Sequence, residues 1–185
     1  MCIRDRVATS QALRAEAASA YPQAQSRLSV ITPGVQLPEG AWDKRASRSA
    51  LGLDHEGPLL LFVANDYARK GLNVLLQALA QLPVQVAVAA VGNPKEQATF
   101  TAQSRQLGLE GRVHFLGSLG DVGVAYQAAD MLVHPTLEDS FAMVVLEAMA
   151  HGLPVVVSRA PYCGISTLLK HELQAILLDL SLIHI

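Results

Sequence analysis

The sequence predicts an α/β domain, a parallel β-sheet with helices on both faces. Short runs such as 59–63 (LLLFV) and 131–133 (MLV) are apolar at every position, which marks strands buried on both sides rather than strands with one wet face. These runs alternate with segments whose apolar residues fall at helical spacing. With 185 residues, 51% of them apolar and only 16% charged, the chain can bury the core of one ordinary domain and is short for two.

Taken in order, residues 7–10 read as the end of a strand, 11–20 as a helix broken at Tyr21-Pro22, and 28–31 as a short strand running into the turn Thr32-Pro33-Gly34-Val35. The stretch 38–57 is mixed and polar, with Arg45 and Arg48 on a short helix ending at Leu51-Gly52, and reads as a connector between domains. After Pro58 the pattern is regular: strand 59–63, helix 72–82, strand 84–91, a more polar helix 96–107, strand 113–116, helix 122–129 and strand 131–133. His134-Pro135 breaks that last strand. A helix is expected over 140–151 with Gly152 as its C-cap, then a strand over 153–157 and a final one over 174–178.

A net charge of −2 without a basic run speaks against a nucleic-acid partner, and no apolar segment has the length of a membrane span. Cys2 and Cys163 make neither a disulfide framework nor a metal site and read as free thiols in a reducing compartment. The two ends stand apart. Residues 1–6 (MCIRDR) can be encoded by ATGTGTATAAGAGACAG and 180–185 (LSLIHI) by its reverse complement, a string that resembles a sequencing-library adapter read both ways. Both ends are therefore set aside as scars, and 7–179 is expected to be a piece of a longer protein.

In folds of this class ligands sit where strands run out into loops that lead into helices. After 59–63 the loop reads Ala-Asn-Asp-Tyr-Ala-Arg-Lys-Gly, placing Arg69, Lys70 and Gly71 at a helix start. Two cations there oppose the helix dipole; a bound phosphate would reverse the sign, and a solvated loop is the alternative. Neither GxGxxG nor GxxxxGK[ST] is present, which argues against a dinucleotide site and against a nucleoside triphosphatase. Glu147 lies on an otherwise apolar helix and needs a polar partner, either a ligand diol such as a ribose or a nearby cation or cap. Asp139, eight positions earlier, precedes that helix, and about 80° of rotation separates the two acids. His114 reads as a core or edge residue, Gly117 as a turn or a close approach to a flat base, and His134 as better placed for ligand contact. Gly164 and Ile165, after Cys163, could offer backbone N–H groups.

Lys70-Gly71, VHFLG (113–117), AADMLVHPT (128–136) and DSFAMVVLEAMAHGLPVV (139–156) together resemble the donor-binding C-terminal half of the GT-B glycosyltransferases of family 4, with FVANDYARKGL closest to the lipopolysaccharide-core glucosyltransferases. The resemblance implies a Rossmann-like sheet over 58–179, with 7–57 as the end of the preceding domain and the connector. It implies retaining transfer of a hexose from a nucleoside-diphosphate sugar to a glycan or lipid-linked acceptor in cell-envelope or lipopolysaccharide synthesis, with no metal or other cofactor. Arg69 and Lys70 would hold the diphosphate, Asp139 the transferred sugar and Glu147 the ribose; Gly71, Gly117, His134, Ser140, Phe141 and Ala142 complete the expected site. Asp139 is shorter than the usual glutamate, Ala142 stands where glycine is common, and Asn65-Asp66 replace a frequent arginine. The acceptor would be held by the missing N-terminal domain. A cytoplasmic location follows, with peripheral association to the inner membrane an option for the full-length protein. A sugar-nucleotide epimerase of the same fold and a non-catalytic nucleotide-binding module are the alternatives.

Overall fold

The computed structural model describes residues 6–180, so most of the two ends read as adapter-derived, 1–5 and 181–185, lies outside the described residues. β1 (Arg6–Ala8) and β2 (Leu28–Val30) pair in parallel as a small sheet of their own, joined through α1 (Gln11–Ala20) and a 3₁₀ segment, Pro22–Arg27, that the sequence pattern did not predict. Ser10 starts α1, its Oγ accepting the Leu13 N–H at 3.1 Å. Asp43 does the same for α2 (Lys44–Ala50), its carboxylate accepting the N–H groups of Arg45 and Ala46 at 2.8 and 3.1 Å.

The stretch expected as a connector is bolted to the main sheet and its helices. Arg48 is buried, and its guanidinium donates to Ala128 O at 2.9 Å, His55 O at 2.7 Å, Gly57 O at 3.1 Å and Asp130 Oδ2 at 2.8 Å. Asp130 Oδ2 also accepts the Leu59 N–H at 2.8 Å, tying this corner to the first strand of that sheet.

The main sheet is built after Pro58: β3 (Leu59–Ala64), α3 (Leu72–Gln81), β4 (Ala87–Gly92), α4 (Gln97–Gln106), β5 (Val113–Gly117), α5 (Gly123–Ala128), β6 (Met131–His134), α6 (Met143–Ala150), β7 (Val155–Ser158) and β8 (Ile176–Leu178). Six strands stand in the order β5-β4-β3-β6-β7-β8, every neighbouring pair parallel, with helices on both faces as the sequence predicted. Alternate residues of β3 and β4 feed opposite cores. Leu59, Leu61, Ala87 and Ala89 pack with Tyr126, Val145 and Ala148, while Phe62, Val88 and Ala90 pack with Leu72, Leu76 and Phe100. Both faces being dry is why these strands are apolar throughout.

Of the boundaries that differ from expectation, which include a last strand starting at Ile176 rather than 174, three show their cause. β4 begins at Ala87 rather than 84, because Val84 is exposed and Val86 closes a turn onto Pro83 O at 3.0 Å. The carbonyls of that turn are collected by Arg112, which reaches Leu79 O, Pro83 O and Val86 O at 2.9 to 3.0 Å. α6 begins at Met143 rather than 140, because Ala142 sits in the left-handed region at φ 70°. β7 begins at Val155 rather than 153, since the chain leaves α6 through a turn in which Leu153 N–H bonds back to Ala148 O at 3.0 Å. No helix among the described residues is long and apolar enough to cross a membrane.

The strand order carries the functional consequence. From β3 the chain moves outward through β4 to β5, then returns to pair β6 on the other flank of β3. Where the order reverses, the segments leaving β3 and β6 turn to opposite faces and leave a crevice at the carboxyl ends of those strands.

Candidate functional site

The first wall of the crevice is the loop after β3. Asp66 organises it: Oδ1 accepts the Arg69 N–H at 2.8 Å and the Asp66 carbonyl accepts the Lys70 N–H at 3.0 Å. The turn sends the Lys70 ammonium across to the opposite loop, where it donates to Glu138 O and to Asp139 Oδ2, each at 2.7 Å. Gly71 is next, at φ +83°, and an added Cβ would lie 2.0 Å from Pro135 O. Only glycine satisfies both the conformation and the approach of the two loops. Gly71→Ala is expected to cost about 3 kcal/mol by combining backbone strain with displacement of Pro135, read as a lower midpoint in urea unfolding.

The second wall is the loop after β6. Thr136, fully buried, donates its hydroxyl to Glu138 O at 3.0 Å and accepts the Glu138 N–H at 3.2 Å. This bend places Asp139 at the centre. Its Oδ1 accepts the N–H groups of Phe141 and Ala142 at 3.2 and 2.7 Å, and its Oδ2 accepts Lys70 and lies 3.1 Å from His134 Nε2. Four partners fill the acceptor positions of one carboxylate. Burial alone would raise the Asp139 carboxyl, but the hydrogen bonds and charges of His134 and Lys70 outweigh it and hold the group well below the usual carboxylate range.

The two helix starts, Gly71 for α3 and Ala142 for α6, therefore face one crevice, and the acid that holds the turn into α6 meets the cation preceding α3. Among the described residues, the N–H groups of Met143 and Val144 at the start of α6 make no hydrogen bond. An anion entering the crevice would meet free donors, the positive end of a helix and an ammonium already aimed there.

Glu147 sits further along α6 and is half-buried. Its Oε2 accepts the Tyr126 hydroxyl at 2.7 Å, so the polar partner expected for it comes from α5 and is neither a cation nor a cap. Burial first, then the Glu147 hydrogen bond and charge, raise the Tyr126 phenol far above its ordinary value, and it stays a donor at any ordinary pH.

The other expected site residues divide. Arg69 does not join Lys70: its side chain is 52% exposed and pairs with Asp66 at 3.4 Å on the surface. His134 is 1% exposed and Phe141 is buried in the core, so neither side chain is open to a ligand, contrary to the expectation for both; His134 reaches the crevice only through Asp139, and Phe141 only through its backbone. Ala142 is buried, with its backbone conformation the feature that matters, while Ser140 is exposed. Gly117 ends β5 at φ +67° with open space beside it, so its backbone conformation is what calls for glycine there. The N–H groups of Gly164 and Ile165 are spent on Asp139 O and Phe141 O at 2.9 and 3.1 Å and hold the Asp139 loop rather than a ligand. Cys163 is buried, its thiol pushed up to about 12 by burial and by the charge of Asp139, and so is inert. Sequence reasoning passed over Tyr126, Thr136 and His151. A polar residue inside an apolar run was the one signal they carried.

Comparison with known proteins identifies the family of the chain and its fold. Residues 43–181 match the family described as Glycosyl transferases group 1. The lipopolysaccharide glucosyltransferase WaaG of Escherichia coli is 31% identical over 156 residues, covering 78% of this chain and 40% of that protein. A D-inositol 3-phosphate glycosyltransferase of a Mycobacterium species is 36% identical over 161 residues, 82% of this chain and 36% of the relative. Among solved structures, Anabaena HepE in complex with UDP-glucose superposes with a TM-score of 0.82 at 29% identity, covering 95% of this chain and 50% of that one. The WaaG crystal structure gives 0.77 at 28%, covering 88% and 45%. The chain thus spans about two fifths of the length of the curated relatives it matches.

Proposed function

This chain belongs to the group 1 glycosyl transferases, of GT-B type, and from that premise we propose that it is the donor-binding part of a retaining family 4 glycosyltransferase, taking a hexose from a nucleoside-diphosphate sugar. The observation that carries the reading is the crevice between β3 and β6, in which Lys70 spans from one helix start to the other at 2.7 Å from Asp139, beside the free N–H groups of α6.

In this reading the diphosphate lies on the N-terminus of α6, and Lys70 swings from Asp139 to the phosphate oxygens. Its departure frees one acceptor position on Asp139 Oδ2, which a hydroxyl of the transferred sugar takes up. The internal ion pair is thus a stand-in for the donor and keeps the crevice organised until the donor arrives. As the sugar–phosphate bond breaks, negative charge grows on the departing diphosphate, and Lys70 and the Met143 and Val144 N–H groups stabilise it without reorganising. Arg69, at the rim, adds a second cation by leaving Asp66. Gly71 lets the two loops close on the phosphates, and Glu147 accepts the ribose hydroxyls. No metal is required. The acceptor, a glycan or lipid-linked sugar of the cell envelope, is held by a part of the longer protein that this chain does not include.

HepE and WaaG support a sugar-nucleotide donor and an envelope acceptor by likeness. The test is Glu147→Ala. It should weaken binding of a nucleoside diphosphate roughly tenfold while leaving inorganic diphosphate unchanged, measured by calorimetry, because it removes the ribose contact and leaves the partners of the diphosphate in place. Equal losses for both ligands would refute the assignment.

A further inference from the structure

Glu147 does not stand alone on α6, and its surroundings assign a role to residues that neither spacing nor likeness singles out. The Tyr126 hydroxyl donates to Glu147 Oε2 at 2.7 Å, and Tyr126 is 2% exposed, so the bond is shielded from water. The ring is held in turn. His151 stacks on it with centroids 5.0 Å apart and planes 28° from parallel, while His151 Nδ1 donates to the Glu147 carbonyl at 2.9 Å. Trp42, from the polar stretch before the main sheet, leans on His151 with ring centroids 5.8 Å apart. Among the described residues no hydrogen bond reaches Glu147 Oε1.

We infer that Tyr126 is a positioning residue for Glu147, fixing the carboxylate through Oε2 so that Oε1 is presented to a ribose diol, with His151 clamping the Tyr126 ring. The inference rests on the ribose role proposed for Glu147. A glutamate on a helix has three freely turning side-chain bonds, and ordering them on ligand binding weakens that binding. A bond from a buried phenol orders the carboxylate beforehand. Selectivity for a ribose over a deoxyribose is where this appears, since the diphosphate is held elsewhere and does not sense the Glu147 rotamer.

The experiment compares uridine, guanosine and adenosine diphosphates with their 2′-deoxy counterparts and with inorganic diphosphate, by calorimetry, on the wild-type chain and on Tyr126→Phe. Phenylalanine keeps the stack against His151, and unchanged inorganic diphosphate affinity reports an intact crevice. The expected result is a ribose-over-deoxyribose preference in the wild type that falls roughly tenfold in the variant, the size of one hydrogen bond to a charged group. In the double variant Tyr126→Phe/Glu147→Ala the phenylalanine should add nothing beyond Glu147→Ala, a coupling that general loosening of the fold would not produce. A preference that survives in Tyr126→Phe overturns the inference and leaves the ribose role of Glu147 standing. A wild type that does not distinguish ribose from deoxyribose, or binds none of the nucleotides, overturns both.

Discussion

Replacing Lys70 by alanine in the full-length transferase is expected to lower kcat roughly 10²-fold or more, the scale on which loss of one preorganised charge partner at a departing oxyanion is felt. Lys70 is 17% exposed, its ammonium already stands at the crevice, and so little reorganisation separates its resting position from the phosphate. Inorganic diphosphate binding should weaken with it, whereas binding of the bare nucleoside should not, because the role proposed for Lys70 involves only the anionic part of the donor. Rates with a labelled sugar nucleotide and calorimetry with the two partial ligands read the two effects separately. A Lys70→Ala enzyme with full kcat would remove the cation from the mechanism and leave the helix N-terminus as the sole electrostatic device.

The second large effect is on stability. Asp139→Ala should cost about 3–4 kcal/mol, because the substitution strands a largely buried ammonium and a fully buried histidine and releases the Phe141 and Ala142 N–H groups in the turn that leads into α6. The pH dependence has a definite sign. The folded Asp139 carboxyl is depressed, so its contribution is complete above the unfolded carboxyl value of about 4 and is lost as pH falls below that, where the unfolded chain binds the extra proton. The stability gap between wild type and Asp139→Ala should therefore be constant from neutral pH down to about pH 5 and shrink as the pH drops below about 4. Urea unfolding at a series of pH values measures it. A gap that widens on acidification would contradict the ion-pair reading.

How much of the site was legible depends on how local each feature is. Gly71 and the Arg69-Lys70 pair stood out in the sequence as a candidate anion site because a helix start with two cations is a contradiction visible within a few residues. The structure kept half of that pair: Lys70 turns inward to Asp139, while Arg69 finds Asp66 three positions back. Glu147 was readable as an acid in need of a partner, since its neighbours are apolar, but the partner was not, because Tyr126 lies 21 residues away on another helix. His134 shows the opposite error. Its place at a strand end suggested a ligand contact, yet one more turn of the loop buried it behind Asp139.

By itself the sequence determined the alternation of strands and helices, the two dry faces of the sheet, and the loops in which chemistry had to lie, because apolar period and helix-end chemistry are set by residues a few positions apart. The tertiary structure alone decided that Lys70 and Asp139, 69 positions apart, close on each other, that every acceptor position of Asp139 is taken, and that Tyr126 holds Glu147. Those facts arise from the reversal of strand order between β3 and β6, which brings distant loops together and leaves no mark on the spacing of either.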